Sequence, residues 1–307
     1  MSYAVLFSGQ ASQHPDMLRW LESEPASAET LRAMSERLGS DWRHLLHDPK
    51  RRSGNAFAQV LITGTSLAAW AAIKDRLAAR PAVVAGYSVG ELAAFACAGV
   101  FDTNQALKLA VQRAALMDQA VAGLKTGLLS VSGISEAAVA AACADLGIEC
   151  AIRLNVNHTV FAGTDDALMQ ATLALVAIGA VCTRLEVRVA SHSSWMAPAA
   201  RAFAASLHDV PFAAPDCPIA VNAFGVLSRQ PGELRQALSQ QLASAVQWSS
   251  CMEEIAERKV SCVIEIGAGS ALGRMWNDRY PDIPARSLDD FQHLQGVLDW
   301  VVKHMDA

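Results

Sequence analysis

The stretch Val83–Val100, VVAGYSVGELAAFACAGV, constrains this chain more than any other. It places a lone serine between two glycines in Gly86-Tyr87-Ser88-Val89-Gly90, a G-x-S-x-G. An apolar β-branched pair precedes it, and an alanine-rich run with helical spacing, from about 91 to 98, follows. A buried strand at 83–85 that breaks straight into a helix turns sharply at the serine and lifts its hydroxyl above the sheet edge. The helix N-terminus then favours negative charge developing beside that hydroxyl. The flanking glycines admit close backbone approach. An ordinary serine in a glycine-bounded turn fits the same letters, but the strand before it and the helix after it favour acyl chemistry on an alcohol.

Composition narrows the partners. A chain of 307 residues, 52% hydrophobic and 18% charged, is enough for one large core or a core with an inserted lobe. The net charge is −5, and Lys50-Arg51-Arg52 is the only short basic run. Nucleic acid is therefore not expected as a partner, because phosphate binding needs clustered cations. Seven scattered cysteines, odd in number and without a C-x-x-C, suit reduced thiols in a cytoplasm. The N-terminus reads as a first strand and not as a signal peptide. No run reaches the length of a membrane span; VLITGTSLAAWAAI is interrupted by Thr63, Gly64 and Thr65.

Along the chain, a strand is expected at 3–7 and alanine-rich helical text from 11 to about 79, broken near 49–55. A helix is expected at 103–122, with its cap at Asp102 or Thr103. From 126 to 188 the texture changes to strand, helix, strand, strand, helix, strand, the split pattern of ferredoxin-like lobes. The expected architecture is therefore α/β: an α/β-hydrolase-like large subdomain (1–125 and 189–307) with a parallel sheet and a nucleophile elbow, interrupted by a ferredoxin-like small subdomain (126–188). Further strands are expected at 219–222 and 262–266, with helices at 195–207 and near 231–257.

A serine nucleophile needs a base. Of the eight histidines, His192 stands out, in VRVASHSSWM, on a loop between a strand and a helix where the small lobe returns to the body. The alternative is a histidine that caps the next helix. His44 and His47 lie three apart near acidic residues, but no further ligands gather there, so no metal site is expected. No aspartate stands where a hydrolase triad requires one. Arg113 lies among apolar neighbours on its helix, so it meets either a structural carboxylate or the carboxylate of a ligand.

Seven motifs in order resemble the malonyl-CoA:acyl-carrier-protein transacylase family over almost the full length. FSGQASQ (7–13) resembles F-P-G-Q-G-S-Q, GYSVGELAA resembles G-H-S-x-G-E-x-A-A, and QRAALM (112–117) resembles Q-R-G-x-x-M. NVNHTVFAG (155–163) is similar to a shortened N-x-x-x-Q-x-V-x-x-G strand, VASHSSWM (189–196) to V-P-S-H-x-x-x-M, AVQW (245–248) to P-V-Q-W, and VIEIGAGSALGRM (263–275) to a late E-x-G-P-G-x-x-L. The resemblance implies a malonyl-serine mechanism. Ser88 would be the nucleophile and His192 the base, oriented by the backbone carbonyl of Gln241 and not by an acid. The N–H groups of Gln10 and Val89 would form the oxyanion hole, and Arg113 would hold the malonyl carboxylate. Tyr87, Asn155 and His158 fall near the pocket; Tyr87 replaces the family's histidine, which bears on acyl selectivity.

The resemblance also implies no bound cofactor. Its substrates would be malonyl-CoA and an acyl-carrier protein whose prosthetic group is of the phosphopantetheine type or derived from dephospho-CoA. Within the family, QHPDMLRWL (13–21) and IPARSLDDFQHLQGVLDWV (283–301) look like the malonyltransferase subunit of malonate decarboxylase, which would add that complex's other subunits as partners. The alternatives are the transacylase of fatty-acid or polyketide synthesis and, in another class, a serine thioesterase.

Overall fold

The computed structural model describes residues 2–305. Ten strands punctuate the described chain: β1 (Tyr3–Phe7), β2 (Val83–Gly86), β3 (Thr126–Ser132), β4 (Glu149–Asn155), β5 (His158–Thr164), β6 (Val181–Arg184), β7 (Ile219–Val221), β8 (Val226–Ser228), β9 (Cys262–Ile266) and β10 (Ala285–Ser287). They form two sheets. Six strands lie in the order β10-β9-β1-β2-β7-β8, and four in the order β4-β5-β3-β6. The fold is α/β, with a mostly parallel main sheet and a small antiparallel four-stranded subdomain.

In the main sheet only the β7–β8 pair is antiparallel. Its central strands read as continuous apolar runs because both faces are covered: all five residues of β1 and all five positions of β9 are buried. Each large aliphatic or aromatic side chain removed from water there contributes roughly 1.5–3 kcal/mol. The chain runs outward from β1 through β2, β7 and β8, then returns to the other side of β1 for β9 and β10. The direction of winding therefore changes at β1. Loops leaving the carboxyl ends of strands at such a switch point line the crevice where open α/β sheets bind ligands. Register brings them together, since Phe7 pairs with Gly86 on one side and with Ile266 on the other.

The small sheet pairs antiparallel throughout. Its helices Glu136–Ala142 and Asp165–Ala177 each start on a capping side chain, Ser135 and Thr164. They cover a separate apolar cluster that includes Leu129, Val139, Phe161 and Leu175. One parallel bridge, Ile152 to Val246, ties this sheet to the main body.

Several local expectations change. The helix Asn55–Ile73 runs unbroken through Thr63, Gly64 and Thr65. It is long and apolar enough to cross a membrane, yet it is a core helix, with 78% of its most apolar window buried. Gly64 admits the Met34 side chain, which would lie 2.6 Å from an added Cβ. Residues 11–18 form turns and not a helix, because Ala11 and Leu18 take left-handed backbone angles. Asp102 is the cap of Thr103–Ala120, its side chain accepting from the Gln105 N–H. β6 stops at Arg184, and the helix expected at 195–207 is a 3₁₀ turn, Ser194–Met196, followed by Ala197–His208.

Candidate active site

The elbow explains its own glycines. A Cβ on Gly86 would lie 2.1 Å from the Gly90 carbonyl group, and one on Gly90 would lie 2.4 Å from the Phe7 carbonyl oxygen. No side chain fits at either position, so the strand, the turn and the helix Gly90–Cys97 close on one another. Ser88 sits at the apex with φ 55°, a conformation that costs a non-glycine residue about 1–2 kcal/mol. Its N–H donates to Asn222 Oδ1 at 2.8 Å, and its carbonyl accepts from Gln241 Nε2 at 2.8 Å.

The Ser88 hydroxyl lies 2.7 Å from His192 Nε2, across 104 residues of sequence. His192 is buried, has φ 63°, and its own N–H donates to the Leu242 carbonyl. Its Nδ1 is 2.7 Å from the Gln241 carbonyl oxygen. A carbonyl only accepts, so Nδ1 carries the proton, and Nε2 is left with a lone pair facing the serine. Burial pulls the imidazole down to about 3, helped by the Arg113 charge and opposed by the Gln241 carbonyl. The ring is therefore neutral at physiological pH.

Arg113, on Thr103–Ala120, is 1% exposed. Its two terminal nitrogens donate to Gln59 Oε1 at 2.8 Å and to Gln241 Oε1 at 2.7 Å. Its Nε has no partner among the described residues. Burial lowers its affinity for the proton to about 10, which leaves it charged at neutral pH. No carboxylate forms a salt bridge with it among the described residues. Gln241 thus touches the Ser88 carbonyl and Arg113 with its side chain and His192 with its backbone.

The loop after β1 lies against the elbow. A Cβ on Gly9 would lie 2.7 Å from the Tyr87 carbonyl oxygen. The N–H groups of Gln10 and Val89 have no protein acceptor among the described residues, whereas neighbouring N–H groups such as those of Ser8, Gly90 and Glu91 are bonded. Ser8 Oγ donates to the buried Glu265 at 2.9 Å, anchoring the loop. Glu265 also accepts from the Leu272 and Gly273 N–H groups, capping the helix Ala271–Arg279. Burial pushes its carboxyl up to about 7.

Tyr87 meets Trp248 edge-on, with ring centroids 5.1 Å apart. Burial raises its hydroxyl well above the usual phenol range. Asn155 and His158 form no hydrogen bond with Ser88 or His192. They line a cavity of about 580 Å³ with Leu154, Met252, Arg274 and Met275, and His158 Nε2 bonds Ser130 Oγ at 2.8 Å.

Sequence reasoning missed Asn222, Glu91 and the Gln241 side chain. Asn222 Nδ2 donates to the Gly86 carbonyl while its Oδ1 holds Ser88. The available signals were an amide closing the apolar strand IAVN and a carboxylate in the first turn of an otherwise buried helix.

Residues 5–288 match the family model described as an acyl transferase domain. The chain is 31% identical over 310 residues to the malonyl CoA-acyl carrier protein transacylase of Haemophilus influenzae, an alignment covering 98% of this chain and 99% of that protein. It resembles the crystal structure of an acyl carrier protein S-malonyltransferase from Vibrio cholerae, with TM-score 0.87, 32% identity, and coverage of 97% and 100% of the two chains. It also resembles a malonyl-transacylase solved in complex with a type II PKS acyl-carrier protein, with TM-score 0.89, 28% identity, and coverage of 97% and 99%.

Proposed function

The chain belongs to the acyl transferase domain family, and from that premise we propose that it carries a malonyl group from malonyl-CoA to the thiol of an acyl-carrier protein through an ester on Ser88. It is a malonyl-CoA:acyl-carrier-protein S-malonyltransferase. The observation that carries the proposed mechanism is the pair of 2.7 Å contacts, Ser88 Oγ to His192 Nε2 and His192 Nδ1 to the Gln241 carbonyl.

In this reading His192 Nε2 takes the hydroxyl proton as Ser88 Oγ attacks the thioester carbonyl. The unpartnered N–H groups of Gln10 and Val89 receive the oxyanion; one such donor is typically worth about 10²–10³ in rate. The intermediate collapses, the coenzyme thiolate leaves with the proton from His192, and malonyl-serine remains. The carrier thiol then enters, gives its proton to His192 and attacks the ester, so the steps run in reverse with ping-pong kinetics. The chemistry needs no cofactor. Arg113 holds the free carboxylate of the malonyl group and keeps the carbonyl seated. Residues 1–125 and 189–307 form the catalytic subdomain of this reading, and 126–188 form the small one.

A hydrolase would be supported by an acid behind the imidazole, but Nδ1 meets a backbone carbonyl. As to context, the names of the relatives favour carrier-protein transacylation of the fatty-acid or polyketide type. The malonate decarboxylase reading keeps one observation: the two segments that suggest it meet. Asp289 lies 2.7 Å from His14 Nε2 and accepts the Leu18 N–H at 2.7 Å.

The test is intact-mass measurement of the full chain with malonyl-CoA. The expected result is a stable malonyl adduct, absent in Ser88→Ala and discharged by added carrier protein. Steady release of coenzyme A to water with no adduct would refute the transferase. Offering carriers with a phosphopantetheine or a dephospho-CoA-derived group separates the two contexts, by which one discharges the enzyme faster.

A further inference from the structure

The elbow rests on a carboxylate that the mechanism above does not use. Glu91 is fully buried in the first turn of Gly90–Cys97. One of its oxygens accepts the backbone N–H of Asn222 at 2.5 Å, and the other accepts from Gln241 Nε2 at 2.7 Å. Asn222 and Gln241 are the two residues that hold Ser88. The first accepts its N–H and the second donates to its carbonyl, both at 2.8 Å. The peptide groups on either side of the nucleophile therefore lead, one residue away, to the same carboxylate. Gln241 extends the chain of contacts to His192 through its backbone oxygen and to Arg113 through its side-chain oxygen.

Both contacts on Glu91 come from N–H donors, which suit the ionised, acceptor-only form. The serine conformation they hold, φ 55°, is one a non-glycine residue leaves unless its surroundings fix it.

We propose that Glu91 is a positioning residue for the nucleophile: its carboxylate fixes Asn222 and Gln241, and these keep Ser88 in its left-handed turn with Oγ on His192 Nε2. The inference rests on the preceding reading only in taking Ser88 as the nucleophile.

The charged and titratable groups around Glu91 are Arg113 from Thr103–Ala120, His192 beyond Gln241, and the Cys251 thiol from Trp248–Glu257. Burial pushes the Glu91 carboxyl up to about 7, opposed by its two hydrogen bonds and by Arg113. The form that holds the elbow is therefore lost as pH falls through about 7.

The test is the rate of Ser88 labelling by a fluorophosphonate, which reads the nucleophile without any malonyl group. It is made on full-length wild type and Glu91→Gln well below their melting temperatures. A glutamine places an NH₂ against the Asn222 N–H or against Gln241 Nε2. Labelling of the folded variant should fall roughly 10²-fold, the effect of a misplacement on the ångström scale. The wild-type rate should rise with pH through about 7, and this limb should vanish in Glu91→Gln. Should that variant not fold, Gln241→Met keeps the carbonyl for His192 and removes the amide; its labelling should fall tenfold or more.

A lowered melting temperature with a wild-type labelling rate, in either variant, would make Glu91 a purely structural group and overturn the proposal. A wild type that labels but takes up no malonyl group would refute the acyl assignment instead, and the variant labelling rates would still decide this inference.

Discussion

Replacing Arg113 with alanine should remove selectivity for a dicarboxylic acyl group while sparing serine chemistry. A guanidinium has five N–H donors; Gln59 and Gln241 occupy one on each terminal nitrogen, and Nε is unpartnered. Three donors remain. A malonyl carboxylate taking two of them gains charge-assisted bonds of about 1.5–3 kcal/mol each. Their sum, about 3–6 kcal/mol, corresponds to roughly 10²–10⁴ in kcat/KM at 1.4 kcal/mol per tenfold. Acetyl-CoA has no carboxylate to lose. Its transfer should hold, because removing the cation also relieves one of the influences that pull His192 down. The variant will be less stable, since Gln241 and Gln59 each lose a buried partner at roughly 1–3 kcal/mol; Gln59 keeps its bond to Asn55. The assay is kcat/KM for malonyl-CoA and acetyl-CoA on both proteins, well below the variant's melting temperature. A malonyl-to-acetyl ratio within about twofold of wild type would refute the assignment. Arg113→Lys should fall between, because an ammonium keeps the charge and loses the planar fork.

Two further outcomes concern stability. His192 has a proton affinity near 3 when folded, against 6.5 when unfolded, so between those values the unfolded chain binds a proton that the native state refuses. The stabilising contribution is present above 6.5 and is lost as pH falls, so His192→Gln should flatten the acid-side decline in melting temperature; equal slopes would contradict this. Ser8→Ala should cost about 1 kcal/mol by removing one of three donors to Glu265, readable as a lower denaturant midpoint at unchanged slope.

Legibility followed sequence distance. Ser88 and its glycines are contiguous, and the strand and helix beside them show their periods, so the elbow could be read directly. The alternation of short strands and helices between 126 and 188 likewise anticipated the four-stranded sheet. His192 and Arg113 showed as candidates from their settings, a loop at a strand end and a cation among apolar neighbours, with the alternatives left open; their roles, and Gln241 altogether, were legible only because several motifs occurred in a family's order. Glu91, Asn222 and the Gln241 side chain were missed because their contacts join residues 131, 134, 150 and 153 apart, and no local pattern encodes those pairings. β8 and β10, three residues each, are too short to show alternation. Asn155 and His158 rested on a gapped motif; the fold places them together on the wall of one cavity.

Two of the five non-glycine residues with positive φ among the described residues stand at this site: Ser88 at 55° and His192 at 63°. Each position would suit glycine better, and only chemistry gives 88 and 192 a reason to resist it. A duplicated gene released from acyl transfer would therefore drift toward glycine at both, gaining heat resistance as it lost its reaction. The trend can be checked at the bench, where Ser88→Gly should melt above Ser88→Ala; the reverse order would show that the apex carries no such cost.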